Sequence, residues 1–461
     1  MNKYYKQFLL DAERVSFDLK HRKTIKFNMS KYDAAVKNGF LRYIDKEKAK
    51  ESTAYKKRRA LKQLDKSLLQ FEEKAIANGI NVHWAIDRKE GLSIISDILR
   101  EKDAKMVVKM KSMTTEEIEL NDFIIEKGID SVETDLGEFI VQVAGEKPYH
   151  IVTPAMHKSK KDVNELFARL FDMDENSTAE EMTEFVRKLL RKKFTSAEVG
   201  ITGANFIIAD IGGVAITENE GNGILSTSFP KTHIVIAGIE KIIPSLEDLG
   251  SFWPVLSAHG TGQSITVYNT IFTGSKRDNE QYGPEEMHVI LLDNGRTDIL
   301  NQEVQSDVLA CIRCGACLNA CPVYHNIGGY TYNNTYGGPI GSVISPFFNS
   351  FEKSAHLSYA CTICGKCTEV CPQKIDIHVL LLHNRKEDIE RFGKMRIFTL
   401  AMSFYKLFTL NVKLFDFGFI GIKNFFVKYF AKNIFGKKRS LAPFKTSFRE
   451  QYINNKNLKK S

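Results

Sequence analysis

Residues 311–322 read CIRCGACLNACP, and residues 361–372 read CTICGKCTEVCP. Both follow C-x2-C-x2-C-x3-C-P, the spacing by which two-cluster ferredoxins hold two [4Fe–4S] clusters through cysteine thiolates. The two runs use all eight cysteines of the chain. Three cysteines at i, i+3 and i+6 turn around one face of a cuboidal cluster only where the backbone forms a tight loop. Gly315 and Gly365 relax the steric limits there, and Pro322 and Pro372 end each loop. In proteins with this run the fourth cysteine ligates the other cluster. The expected sets are therefore Cys311, Cys314, Cys317 and Cys371 for one cluster, and Cys361, Cys364, Cys367 and Cys321 for the second.

Zinc and disulfides are the competing uses of such cysteines. Zinc ribbons pair C-x2-C motifs without a third cysteine three residues on, and their site needs only four ligands. A disulfide framework belongs to oxidising compartments, but the N-terminal MNKYYKQFLLDAERVSFDLK has Asp11 and Glu13 where a signal peptide needs an apolar core. The expected compartment is the reducing cytoplasm.

With 461 residues and 43% hydrophobic content, the chain has material for two or three cores. No charge-free apolar run approaches the ~20 residues of a spanning helix, so an integral membrane protein is not expected. The net charge of +9 is concentrated at one end: residues 391–461 carry 16 Lys+Arg against 2 Asp+Glu, a net of +14, leaving about −5 for the rest. In this tail Phe404, Phe408, Phe415, Phe419, Phe425, Phe426 and Phe430 interleave with Lys406, Lys413, Lys423, Lys428 and Lys432. The pattern suits an interfacial helix on anionic lipid at the inner face of the cell membrane. It equally suits phenylalanines packed on the protein with lysines reaching outward. Without a recognisable binding module, the charge does not argue for nucleic acid.

Four regions are expected. Residues 1–78 read as helical and charged, with Gly79 as a stop; the basic stretch from Lys56 to Leu69 reads as an ordinary amphipathic helix, its Leu61, Leu64, Leu68 and Phe71 recurring at helical spacing. Residues 79–297 alternate β-rich runs (VHWA, MVVKM, FIVQV, FIIAD, HIVIAGI, MHVILLD) with helical stretches such as SIISDILREK and DVNELFARLFDMD, the signature of an α/β domain with a largely parallel sheet. Residues 298–390 hold the cysteines, and the long separation of Cys321 from Cys361 favours an α-helical ferredoxin domain. Residues 391–461 are the basic, Phe-rich tail.

Ligands of open α/β sheets bind outside the carboxyl ends of strands, and polar clusters fall there. ETDLGE supplies Glu133 and Asp135; His150 and His157 follow. ADIGG and ITENEGNG supply Asp210, Glu218, Glu220 and Asn222. Glu218, Glu220, Asn222, Glu133 and Asp135 are the candidates for binding or acid–base work, against the alternative that Gly, Asn and Asp only make turns. DIGG and GTGQS complete no nucleotide fingerprint, and no Ser/His/Asp triad can be singled out. Within the cysteine loops, Arg313 and Lys366 either stabilise a reduced, more negative cluster or are solvated surface charges.

The runs KSMTTEEIELN, ETDLGEFIVQVAGEKPYHIVTPAMHK, NFIIADIGGVAITENEGNG, GPEEMHVILLDNGRTDIL and CIRCGACLNACPVYHNIGGYTY closely resemble the lactate utilisation protein B family, over about residues 80–380. The resemblance implies an iron–sulfur subunit of a cytoplasmic, flavin-independent system oxidising L-lactate to pyruvate, incomplete as an enzyme by itself. It implies two companion subunits, one with cysteine-rich CCG domains and one a small lactate-utilisation-domain protein, and an acceptor such as a quinone. It places the α/β domain with CoA transferases and sugar isomerases, and carries over all eight cysteines but no catalytic residue. The alternative is a hydroxy-acid or CoA-type small-molecule enzyme whose clusters are structural or redox-sensing.

Overall fold

The N-terminal region forms four helices, Lys3–Phe17, Leu19–Phe40, Lys46–Lys62 and Leu64–Ala77. Asp18 and Asp45 start the second and third by accepting from the backbone N–H of His21 and Lys48, as N-caps do. The basic stretch expected to be one amphipathic helix breaks at Gln63. Its two parts serve different cores. Leu61 packs with the cysteine-bearing segment, whereas Leu64, Leu68 and Phe71 cover one face of a sheet. Lys57 is not on a solvated face at all: it is 1% exposed and donates to the carbonyls of Glu240 and Ile242.

This computed structural model describes residues 3–393, 396–411, 420–429, 445–446 and 448–458. Ten strands follow the helices: β1 Ile80–Ala85, β2 Met106–Lys109, β3 Asp130–Glu133, β4 Val199–Gly203, β5 Phe206–Ile208, β6 Gly213–Glu218, β7 Thr232–Gly238, β8 Ile242–Ile243, β9 Tyr268–Phe272 and β10 Glu286–Leu292. Six form a parallel sheet in the order β1-β10-β7-β4-β2-β3. The central β4 and β7 are buried along their whole length, as expected of a sheet covered on both faces. Helix Arg88–Glu101 packs Leu92, Ile95 and Leu99 on the face opposite Phe71.

Two sequence expectations change. FIVQV is not a strand; it belongs to helix Leu136–Val143, started by Asp135, whose side chain accepts from Glu138 N. A short apolar run carries no decisive periodicity, and the cap settles it. FIIAD contributes β5 to a separate small sheet, β8-β5-β6-β9, in which β5 and β9 run antiparallel to β6. Parallel pairing is thus confined to the main sheet and the β5–β8 edge.

The cysteine-bearing segment is helical, with Gly338–Phe348 and Ile377–Phe392 its longest members. The Gly/Tyr/Asn-rich link buries Tyr324, Tyr332 and Tyr336. An added Cβ at Gly329 would lie 1.9 Å from Tyr149 O, so only glycine lets this segment lie on the α/β domain. The chain is therefore an α/β domain with a helical N-terminal region, followed by a helical ferredoxin-like domain. Contacts separate a unit Met1–Asp388 from a second unit Ile389–Ser461. In the second, helices Arg396–Leu410, Ile420–Tyr429 and Phe448–Leu458 are described, with Phe404 and Phe425 exposed. Phe415, Phe419, Phe430, Lys413 and Lys432 lie outside the described residues, as do the side chains of Phe408, Phe426 and Lys423. No described helix is long and apolar enough to cross a membrane.

Candidate iron–sulfur centre and adjoining cavity

The two cysteine loops share one backbone design. Gly315 and Gly365 adopt φ of +80° and +78°, and each opens a short helix bearing the third cysteine. Two residues earlier, Arg313 (φ +59°) and Ile363 (φ +54°) are also left-handed. For a β-branched residue that conformation is strained and is kept where a site demands it. Here it aims the Arg313 N–H at Cys311 Sγ (3.4 Å) and the Ile363 N–H at Cys361 Sγ (3.3 Å).

None of the eight cysteines is in a disulfide. Burial raises Cys317, and the charges of Cys311, Cys314 and Cys371 add to it. Burial raises Cys367 to about 12, helped by Cys361, Cys321 and Cys364. The sulfurs therefore fall into two electrostatic neighbourhoods, and in each the fourth cysteine comes from the opposite run. Among the described residues no three His, Cys, Asp or Glu side chains converge as ligands of a single ion. A cuboidal cluster does not ask for that, since each thiolate binds its own iron. Buried thiols held up in pKa need a metal to draw off the proton.

Buried donors without a well-formed hydrogen bond lie near the first neighbourhood: Arg313 Nη1, the Gln373 amide nitrogen, and Tyr32 OH and His150 Nε2, which have the Asn319 amide within reach. Orphaned buried donors are rare in proteins. A sulfide-rich cluster is an acceptor suited to such donors, so the donor set fits the group.

The candidates in the α/β domain separate into two places. Glu218 ends β6 and accepts from Gly223 N (2.7 Å) and Ile224 N (3.1 Å), securing the start of helix Asn222–Ser228. Glu220 accepts from Leu136 N (3.0 Å). The Asn222 amide, turned to suit its neighbours, donates to Glu218 Oε2 and accepts from Asp135 N. Asp135 also faces Lys111 at 3.8 Å. The ENEGN and ETDLGE loops thus meet. Surrounding protein and the Asp135 charge push Glu220 up to about 7, a shift tempered by solvent because the residue as a whole is exposed. Asp210 only accepts from Leu246 N, and His157 bonds Glu146 at 2.7 Å.

Glu133 stands apart. It ends β3 beside Lys109, its register partner at the end of β2, and lines a cavity of about 1120 Å³ between the α/β domain, helix Lys3–Phe17 and the cysteine-bearing segment. Lys109 Nζ, wholly buried, pairs with Glu133 (2.7 Å) and Glu116 (3.2 Å). Burial opposes its charge, but Glu133, Glu116 and Glu138 overcome that and raise Lys109. Burial raises Glu138 well above the carboxyl range, with the Glu133 charge adding to it. A side-chain hydrogen bond between Glu138 and Glu133 raises Glu138 further, and both residues line the cavity. Leu318 and Tyr324, from the first cluster loop and its following helix, form part of the opposite wall.

Glu117 lines the same cavity. Arg296, 1% exposed, grips its two oxygens at 2.9 Å each and also bonds Glu240; Glu240 pairs with Arg313 at 3.5 Å. Burial works against the Glu240 charge, yet Arg296, Arg313 and Lys241 hold it at about 2. A charged chain thus joins the cavity to the first cysteine loop. Sequence reading passed over Lys109, Glu116, Glu117, Glu240 and Arg296. A charged residue looks alike buried or exposed until its partners are known, and only the position of Lys109 at the end of a strand hinted at a role.

Residues 68–292 match the LUD domain family, and residues 307–375 match the 4Fe-4S dicluster domain family. Lactate utilization protein B of Bacillus velezensis and that of Bacillus subtilis are each 43% identical over 360 residues, covering 78% of this chain and 75% of theirs. The chain belongs to the lactate utilization protein B family. The family member of Geobacillus thermodenitrificans is 42% identical over 364 residues, across 78% of this chain and 76% of its own. A crystal structure of a DUF162 family protein from Deinococcus radiodurans covers 50% of this chain and 98% of its own, at 14% identity and a TM-score of 0.29. As in a dicluster domain, this lactate utilization B chain carries two [4Fe–4S] clusters. When bound, they supply one-electron acceptance and release. The chain's own part is to present thiolates, backbone N–H groups and buried cations around them.

Proposed function

We propose that the chain is an iron–sulfur electron-transfer subunit of a system that oxidises L-lactate to pyruvate. The observation that carries this reading is the sorting of the eight sulfurs into two four-cysteine neighbourhoods in a chain 43% identical to lactate utilization protein B. The ligand sets are Cys311, Cys314, Cys317 and Cys371, and Cys361, Cys364, Cys367 and Cys321. The companions would be a CCG-domain iron–sulfur protein and a small lactate-utilisation-domain protein, and the acceptor a quinone reached from the inner membrane face. Exposed Phe404, Leu407 and Phe425 in the basic tail support peripheral lipid contact. The parallel sheet order supports grouping the α/β domain with CoA transferases and sugar isomerases. We place the divisions at 78, 297 and 390; the LUD match begins earlier, at 68, and the dicluster match spans 307–375.

A second reading, in which the α/β domain performs chemistry on a hydroxy acid itself, is favoured by one feature. The cavity holds the buried Glu133–Glu138 carboxyl pair opposite Leu318 and Tyr324 of the cysteine-bearing segment. Against it, the carboxylates that line the cavity outnumber its cations Lys3, Arg88, Lys147 and Lys353, a poor field for an anionic substrate.

The test is anaerobic. The chain is reconstituted, about eight iron per chain is confirmed, and L-lactate is added alone and with the companions while cluster reduction is followed by EPR. Reduction only with the companions supports the conduit. Reduction by lactate alone moves the chemistry into this chain's cavity.

A further inference from the structure

The two cysteine neighbourhoods differ in what surrounds them. Around the second, Cys361 is half-buried, Cys364 is exposed, and the nearby cation Lys366 is exposed. Around the first, the α/β domain closes in. An added Cβ at Gly315 would meet Val152 at 2.9 Å and His150 Cε1 at 3.5 Å, whereas nothing lies within 4 Å at Gly365.

Arg313, in the field of Cys311, and His150, beside Gly315, each bring a buried donor to this loop. Arg313 sits 4.8 Å over the Tyr336 ring and 3.5 Å from Glu240, which is itself held by Arg296. With the guanidinium so fixed, its Nη1 is buried without an acceptor. His150 is 2% exposed, and its Nδ1 accepts from Val152 N (3.1 Å) and Thr153 N (3.2 Å). Nδ1 is therefore unprotonated, and the neutral ring carries its hydrogen on Nε2, which makes no well-formed hydrogen bond and has the Asn319 amide within reach. Lys57 and Lys241 also lie in the field of Cys311, although burial lowers them to about 7 and about 8.

We propose that Arg313, positioned by Glu240, and His150 donate to the cluster held by Cys311, Cys314, Cys317 and Cys371, and selectively raise its reduction potential. The inference rests on the crossed cysteine sets proposed above. Reduction adds one electron and one negative charge to a cluster. Hydrogen bonds to its sulfurs and nearby cations stabilise that charge, and burial opposes it. The first cluster is the more buried and needs these donors. The second is stabilised by water, which also screens Lys366.

The test is an EPR-monitored redox titration of the full, reconstituted chain and its variants Arg313→Gln, Arg313→Lys, His150→Leu and Lys366→Gln. The expected result is that Arg313→Gln and His150→Leu each lower one and the same midpoint potential. For Arg313→Gln the loss is at least tenfold in the reduction equilibrium, about 59 mV for one electron. The other midpoint stays in place, Arg313→Lys recovers most of the loss, and Lys366→Gln moves neither. With about eight iron present, unchanged potentials or an equal fall in both would overturn the inference. If Arg313→Gln fails to hold iron, His150→Leu and Arg313→Lys decide by the same criterion. Fewer than eight iron in the unaltered chain would instead overturn the cysteine assignment.

Discussion

Lys109 Nζ lies 2.7 Å from the Glu133 carboxylate, and their side chains are 0% and 3% exposed. They end neighbouring parallel strands, so the sheet itself delivers a cation into a nest of three carboxyls, Glu133, Glu116 and Glu138. Taking one partner away leaves charge buried without compensation, which costs about 3–5 kcal/mol. Lys109→Met should destabilise the holoprotein by that order in anaerobic denaturation. The double variant Lys109→Met/Glu133→Gln should regain a measurable part, giving a non-additive cycle. Additive losses would show that the pair does not act as a unit.

Single cysteine replacements should sort by neighbourhood rather than by position in the chain. Cys311→Ala and Cys371→Ala, 60 residues apart in numbering, should each remove the same EPR signal and about four of eight iron. Cys321→Ala should instead share its spectrum with Cys361→Ala. If Cys321→Ala pairs spectroscopically with Cys311→Ala, the ligation is not crossed.

The two loop glycines should differ in their tolerance of alanine. Gly365→Ala meets open space and pays only for the left-handed backbone, about 1–2 kcal/mol. Gly315→Ala pays the same and also presses on Val152 at 2.9 Å, adding about 1–3 kcal/mol of overpacking. Iron release to a chelator should therefore be faster for Gly315→Ala. Equal rates would mean that the α/β domain gives way at no cost.

Acid should weaken the fold through buried neutral histidines. Burial lowers His233 to about 3, and its Nε2 meets Thr202 Oγ1 at 2.8 Å. The unfolded chain takes up this proton near pH 6.5, the folded chain only near 3. Between those values the unfolded state binds more protons, so stability falls as pH falls, by up to about 1.4 kcal/mol per unit for this residue. His233→Asn should flatten the dependence of stability on pH between 6 and 4 relative to the unaltered chain. An identical slope would show that His233 is protonated in the fold.

The cysteine spacing was legible because it is local: one cluster loop needs three thiols within seven residues and a glycine to turn. The alternation of apolar runs and helical stretches likewise announced a parallel α/β sheet. FIVQV misled because a five-residue run, apolar except for Gln142, fits a strand or a helix equally, and the Asp135 cap lies outside the run.

By itself the sequence determined the cluster-binding runs, the α/β class and the basic tail, all of which depend on neighbours close along the chain. Tertiary structure alone decided which charges are buried. Lys57, Lys109, Glu240 and Arg296 look like solvated residues in the sequence, and are buried only because distant strand ends and helices deliver their partners, Glu133 to Lys109, Glu240 to Arg296 and the Glu240 carbonyl to Lys57. It also decided that the ENEGN carboxylates meet the Asp135 loop while Glu133 faces the cavity. Strand order, which no local pattern encodes, places each strand's end.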